Sequence, residues 1–260
     1  MSIIFKPVLF FTSFIVTYFF GLFFWGKKNE EPDISWEKGR DDIFKKGIPY
    51  WNKLLKDLNV LKKNMLALEV GSGNGQWLIA MAEQSSEVYG VEPWKPIRDF
   101  SIDMVKKHSL EDKIQILNGS AEKLAFSKDK FDFLLCTGVF MFTNQNRAIS
   151  EFTRVLKKGG KMVITVNGLG YFIMYVINGM RFKSFTKTKY GIKGIFNSLF
   201  KWIFKKEIGV TAVSAMEMKK KITLNNLKTT EIKLNWGPSD HCPIEVLGFP
   251  LNYVYVIEKK

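Results

Sequence analysis

Residues 65–75, Met65-LALEV-Gly71-Ser72-Gly73-Asn74-Gly75, form an apolar run of strand character that enters a glycine-rich turn and leaves it in the helical pattern QWLIAMAEQ. Strand, loop and helix in that order make a cradle for a phosphate or a nucleoside. Glycine admits positive φ, and its missing Cβ lets a ligand approach the backbone amides at a helix N-terminus. No GK[ST] closes a Walker loop, and the third glycine of a dinucleotide fingerprint falls on Gln76, so the pattern that fits is E-x-G-x-G-x-G beginning at Glu69. A second strand, EVYGVE, ends at Glu92, twenty-one residues after Gly71. A carboxylate at a strand tip can accept hydrogen bonds from both hydroxyls of a ribose. Together the two signals point to a nucleoside.

The surrounding pattern gives the fold class. Apolar strands at 66–70, 87–92, 114–117, 131–136 and 161–166 alternate with amphipathic segments at 76–84, 96–108 and 145–157. This argues for an α/β fold, a doubly wound, mostly parallel sheet with helices on both faces. Two further strands near 229–236 and 252–258 complete it, and ligands are expected at the C-terminal strand ends.

On these residues the chain resembles the class I S-adenosylmethionine-dependent methyltransferases, in the branch similar to the ubiquinone and menaquinone biosynthesis enzymes. The stretch GSAEKLAFSKDKFDFLLCTGVF (119–140) resembles that family's adenine-contacting turn and fourth strand, and RVLKKGGKMVIT (154–165) its helix end, turn and fifth strand. The resemblance implies a Rossmann-like sheet of seven strands with an antiparallel last strand, and S-adenosyl-L-methionine as cofactor. It further implies that Glu69 and the loop of Gly71, Ser72, Gly73 and Gly75 hold the methionine end, Glu92 the ribose, and Ser120, Ala121 and Glu122 the adenine. Many relatives carry Asp where Ser120 stands, which shifts the carboxylate contact toward Glu122. Thr137 and Gly138, at the tip of the fourth strand, are expected near the methyl-transfer zone.

Two segments outside this core are apolar or basic in a way that points to membranes. Residues 8–25 contain no charge, and as a helix they cover about 27 Å, close to a bilayer's hydrocarbon thickness. A cleaved signal peptide or a core helix would read similarly, but no small-residue cleavage site and no polar face are visible. The expectation is a transmembrane anchor at 1–26, a linker at 27–49 and a methyltransferase domain at 50–260. Lys27, Lys28, Lys38 and Arg40 place that domain on the cytoplasmic side of a single-pass membrane protein. The chain's net charge is +14, and from Phe152 to Lys206 there are twelve Lys and Arg and no Asp or Glu. Within a basic, aromatic insertion at about 167–212, Ile192, Ile195, Phe196, Leu199 and Ile203 follow helical spacing, with Lys193, Asn197, Lys201 and Lys205 opposite or alongside. This is the composition of a lid helix, of an element lying on an anionic lipid surface, or of both. A nucleic-acid partner is disfavoured, because the segment after the fourth strand reads CTGVF and lacks the Pro-Pro-aromatic motif of base-modifying relatives.

Catalysis by methyl transfer rests on positioning, with a general base where the acceptor carries an acidic proton. His241, with Asp240 as a second candidate, lies in a loop before the last strand that this fold brings near the cleft. His108 stands at a probable helix end with a surface role, and Tyr171 and Tyr175 are candidates to line an acceptor pocket. Cys136 and Cys242 form no CxxC, and no metal-ligand set is legible. The functional expectation is a membrane-anchored methyltransferase acting on a small lipophilic acceptor such as a quinone, isoprenoid or lipid. A membrane-associated protein or soluble metabolite as acceptor, and a non-catalytic cofactor-binding scaffold, are the alternatives.

Overall fold

A computed structural model describes residues 47–206, 209–234 and 244–260. The described chain enters through α1 (Ile48–Leu58), which starts at Gly47 with a proline in its first turn and stops at Asn59 in the left-handed region. Then follow β1 (Leu66–Val70), α2 (Gln76–Ala82), β2 (Glu87–Val91), α3 (Lys95–Lys107), β3 (Ile114–Leu117) and β4 (Phe131–Cys136). A 3-10 turn (Phe140–Phe142) leads to α4 (Gln145–Val155), β5 (Leu156–Asn167), and a pair of helices, α5 (Leu169–Arg181) and α6 (Phe185–Phe204). The chain closes with α7 (Ala215–Leu224), β6 (Leu227–Leu234), a small hairpin of β7 (Glu245–Val246) and β8 (Phe249–Pro250), and β9 (Asn252–Lys259).

Seven strands form one sheet in the order β3-β2-β1-β4-β5-β9-β6. Neighbours from β3 through β5 are parallel, and β9 runs antiparallel to both β5 and β6. The chain winds outward from β1 to β3, then returns to the other side of β1 with β4. That reversal opens a crevice beyond the C-terminal ends of β1 and β4, where sheets of this kind bind ligands.

Side chains alternate between two buried layers. Leu68, Val70, Leu134, Cys136 and Ile164 pack under Phe140, Ile149 and Phe152 on one face. Ala67, Phe133, Leu135 and Val163 pack under Leu55, Leu78 and Met81 on the other. Strands covered on both faces have no polar side to show, which is why β1 and β4 read as near-continuous apolar runs. Each fully buried Phe or Leu stabilises the fold by roughly 1.5–3 kcal/mol.

The sheet expected from the sequence is present, but the transmembrane part of the expected fold needs correction. Among the described residues no helix is long and apolar enough to cross a membrane. The longest, α6, carries four lysines in its twenty residues, and α5 has only thirteen. The single-pass localisation loses its support with it; the anchor at 1–26 and most of the linker at 27–49 lie outside the described residues.

The insertion also differs from its expected pattern. Residues 169–181 form a packed helix whose Phe172, Ile173 and Val176 face α6. Close approach is possible because side chains at Gly191 and Gly194 would overlap Val176 and Phe172. In α6, Asn197 and Lys201 point inward: the Asn197 amide donates to the Val210 carbonyl, and Lys201 pairs with Glu217 at 2.7 Å. Phe196 and Ile203 point outward.

Candidate active site

The site is built on the turn between β1 and α2. Gly71, Gly73 and Gly75 all take positive φ, at 73°, 51° and 87°. Two of them face protein: a side chain at Gly71 would overlap Val139, and one at Gly75 would overlap the Ser101 hydroxyl. Gly73 is different, with nothing within 4 Å of where its Cβ would stand. Its bare backbone therefore faces open space, as a ligand cradle requires. The Gly71 and Ser72 amides donate to the Val91 carbonyl at 2.8 and 3.1 Å, which ties the turn to the end of β2.

Glu92 stands just beyond β2 and is largely buried. Its Oε2 accepts the Gly73 N–H at 3.1 Å and its Oε1 accepts the Trp94 N–H at 3.0 Å. Arg98, from α3, donates to the Glu92 carbonyl at 2.8 Å and to Asn118 Oδ1 at 3.2 Å, clamping the loop from behind. The carboxylate is thus oriented by backbone and keeps lone pairs available.

Glu69 is fully enclosed at the C-terminal half of β1. Burial, and secondarily the negative charge of Glu92, holds its carboxyl well above the usual carboxylate range, partly offset by the Leu78 amide at the start of α2. Its Oε2 has no hydrogen-bond partner, and neither do the buried Ser72 Oγ, Asn74 Oδ1, Gln76 Oε1 and Ser101 Oγ. Buried polar atoms are almost always satisfied, so a cluster of five around one loop marks where a polar ligand binds. A buried carboxyl whose free oxygen meets no donor suits an ammonium group, and the open Gly73 and two-point Glu92 suit a ribose. The residues present therefore fit an aminoacyl nucleoside.

The remaining expected residues fall around this cradle unequally. Ala121 is buried, and Ser120 forms a small bridge with Lys123. The Glu122 Oε1 accepts the N–H of Asn144, whose own side chain caps α4 by accepting the Arg147 N–H, so Glu122 is committed in part to that helix start. Thr137 is half-buried at the end of β4, and the next residue, Gly138, donates its N–H to Thr165 Oγ1 at 2.8 Å. Cys136 is enclosed beside them, its thiol pushed up by burial and by Glu69. Asp240 and His241 lie outside the described residues, and His108 caps the exposed end of α3.

Trp94, Arg98 and Ser101 were not legible as site residues. Their signal is long-range: the Ser101 hydroxyl matters only because α3 packs it on Gly75. Tyr171 and Tyr175, flagged in the sequence, are joined by Tyr190 from α6, with ring centroids 4.9 and 5.0 Å apart in succession. Burial, and hydrogen bonding within the group, raises the Tyr171 phenol out of reach of ordinary titration.

A strand-switch crevice with a glycine turn, a strand-tip carboxylate and a ring of unsatisfied polar atoms defines a nucleoside-cofactor domain of the doubly wound class. Residues 68–164 match the model of the family described as "Methyltransferase domain". The chain is 30% identical over 124 residues to a demethylmenaquinone methyltransferase of Geobacillus sp. (strain WCH70), covering 46% of this chain and 52% of that protein. It is 32% identical over 122 residues to one of Staphylococcus aureus (strain MRSA252), covering 44% and 47%. Among solved structures, the YcgJ protein of Bacillus subtilis matches with a TM-score of 0.54 at 16% identity, over 81% of this chain and 98% of that one. The chain therefore resembles the class I S-adenosylmethionine-dependent methyltransferases in its fold and through residues 68–164, and the cradle's residues fit S-adenosylmethionine. It spans about half the length of the curated relatives it matches.

Proposed function

We propose that this protein transfers a methyl group from S-adenosylmethionine to a small, lipophilic acceptor of the quinone class. The observation that carries this reading is the likeness to demethylmenaquinone methyltransferases through the cofactor-binding half. The aromatic group of Tyr171, Tyr175 and Tyr190 supports it, because α5 begins two residues past the C-terminal end of β5, at the edge of the sheet where the crevice opens. Rings at that edge offer an apolar, stacking surface to an aromatic acceptor.

When bound, the cofactor supplies a methyl group already activated on a sulfonium. The protein's part is then to hold and orient. Glu69 takes the ammonium end, the Gly73 backbone lies along the aminoacyl-ribose portion, and Glu92 receives the ribose hydroxyls. Ser120, Ala121 and Glu122 flank the adenine, and Thr137 and Gly138 border the space for the acceptor. In-line geometry at contact distance accounts for much of the acceleration.

An acceptor with an acidic proton gains from a base, and His241 with Asp240 is the proposed source. The described chain resumes at Ile244, whose carbonyl accepts the Leu251 N–H at 3.1 Å, and the Leu251 carbonyl accepts the Gly168 N–H at 2.7 Å. Residue 241 is therefore three residues from a segment fastened to the C-terminal end of β5. In His241→Ala, turnover should fall about 10²- to 10⁴-fold with cofactor affinity retained; unchanged turnover removes the assignment.

The test of the reading is incubation of the full chain with methyl-labelled S-adenosylmethionine and a demethylated quinone in detergent. Label in the quinone supports it. Label only in protein or in water-soluble products points to the other acceptor classes. No label despite cofactor binding points to a different chemistry on this fold, which the [4+2]-cyclase SpnF also resembles at a TM-score of 0.55 and 14% identity.

A further inference from the structure

Among the described residues, no element packs across the outer face of α6. Positions 185, 189, 193, 196, 200 and 203 succeed one another at spacings of three and four, so they share one side of the helix. That side reads Phe185, Lys189, Lys193, Phe196, Phe200, Ile203. Phe196, Phe200 and Phe204 stand in a line with ring centroids 6.4 and 4.6 Å apart. Exposure of Phe196, Ile203 and Phe204 runs from 54% to 63%, which is unusual for three large apolar side chains within nine residues. The opposite side, with Gly191, Gly194 and Ile195, is the one that packs on α5.

Cations border this patch, and no ion pair of theirs with an acid is seen among the described residues. Lys187 lies 6.0 Å from the Phe182 ring and Lys189 5.8 Å from Phe185, while Arg181, Lys183, Lys193, Lys205 and Lys206 complete the border. No Asp or Glu occurs between Phe152 and Lys206. Exposed aromatics at one level with a basic rim are complementary in both polarity and charge to the headgroup zone of an anionic bilayer.

We infer that the outer face of the α5–α6 hairpin docks on an anionic membrane surface, with Phe196, Ile203 and Phe204 entering the headgroup boundary. The contact is peripheral and involves no crossing. It deepens the proposed function, on which one consequence rests: Tyr171, Tyr175 and Tyr190 lie on the inner side of the same hairpin, so a docked hairpin brings the acceptor side of the crevice next to the lipid that holds the acceptor.

The test uses the full chain and vesicles of phosphatidylcholine with and without one-third phosphatidylglycerol, read by flotation, and makes no use of methyl transfer. The wild type should prefer the anionic vesicles and lose that preference in high salt. Replacing Lys189 and Lys193 by Gln should weaken anionic binding about fivefold per lysine, roughly 25-fold in all. Brominated lipid should quench the fluorescence added by Phe196→Trp, taken as its difference from wild type; the position is exposed and keeps an aromatic ring, so this readout is local and leaves the fold intact. No quenching of the Phe196→Trp signal on bound vesicles, or equal binding by the lysine variant, overturns the inference. Concentration-dependent self-association abolished by Phe196→Ser and Phe204→Ser, without vesicle binding, assigns the face to a second copy and also overturns it. Failure of quinone methylation with vesicle binding intact would remove the acceptor reading alone.

Discussion

Glu92 Oε2 accepts the Gly73 N–H at 3.1 Å, so the tip of β2 holds the turn that follows β1 and the two proposed cofactor contacts form one unit. Replacing Glu92 by Gln keeps the shape but removes the charge that strengthens every bond the carboxylate accepts. A hydrogen bond to a charged group contributes about 1.5–3 kcal/mol, so affinity for S-adenosylmethionine should fall roughly 10- to 100-fold in Glu92→Gln. Calorimetric titration measures it, and an unchanged dissociation constant would separate Glu92 from the cofactor.

Gly71 and Gly73 should respond differently to the same change. In Gly71→Ala the new methyl group meets Val139 at a φ of 73°, and the fold should lose about 1–3 kcal/mol. In Gly73→Ala the space is open and φ is 51°, so only about 1–2 kcal/mol of backbone preference is lost, while cofactor affinity drops because the methyl enters the cradle. Thermal unfolding and cofactor titration on both variants check this; equal effects on affinity and stability in the two would contradict it.

Glu69 gives the apo protein a pH dependence of a definite sign. Burial first, then the Glu92 charge, raises its carboxyl in the folded state above the ordinary 4.5. The folded state therefore binds the proton more tightly, and stability should decline as pH rises from about that ordinary value through the raised folded one. Glu69→Gln should remove this decline and raise the melting temperature at neutral pH while weakening cofactor binding. A variant less stable than wild type at neutral pH, or equally pH-dependent, would refute the assignment.

Lys201 fastens α6 to α7 through Glu217, and the Thr211 hydroxyl lies 3.2 Å from the same ammonium. Glu217 also completes a reciprocal cap with Ser214. Burial opposes its charge, but the Lys201 and Ser214 contacts together hold its carboxyl below the usual range. That stability is present above the ordinary glutamate value and is lost as pH falls through the depressed one. Lys201→Met should cost roughly 1–3 kcal/mol at neutral pH and flatten the acid limb in denaturant unfolding. No loss would mean that the pair is incidental.

The strands, the glycine turn and Glu92 were readable in the sequence because each depends on local pattern: apolar runs, positive φ and fixed spacing. Strand limits moved by a few residues, β5 gaining 156–160 at its start. What escaped depends on contacts made at a distance. Ser101 reads as an ordinary polar helix residue until α3 sets it on Gly75, and Arg98 has no local mark of its hold on Glu92. Lys201 reads as part of a solvated basic face, yet its partner Glu217 is sixteen residues on. The close packing of α5 on α6 was likewise hidden, because Gly191 and Gly194 matter only once they face Val176 and Phe172. The spanning anchor read from residues 8–25 has no counterpart among the described helices.

The loop from Glu69 to Gln76 is the proposed seat of an aminoacyl nucleoside. Calorimetric titration of the full-length wild type with S-adenosylmethionine tests this most directly. Saturable one-to-one binding, accompanied by proton uptake or release that Glu69→Gln abolishes, is the predicted result. Absence of binding by folded protein to S-adenosylmethionine and to its demethylated product would contradict it.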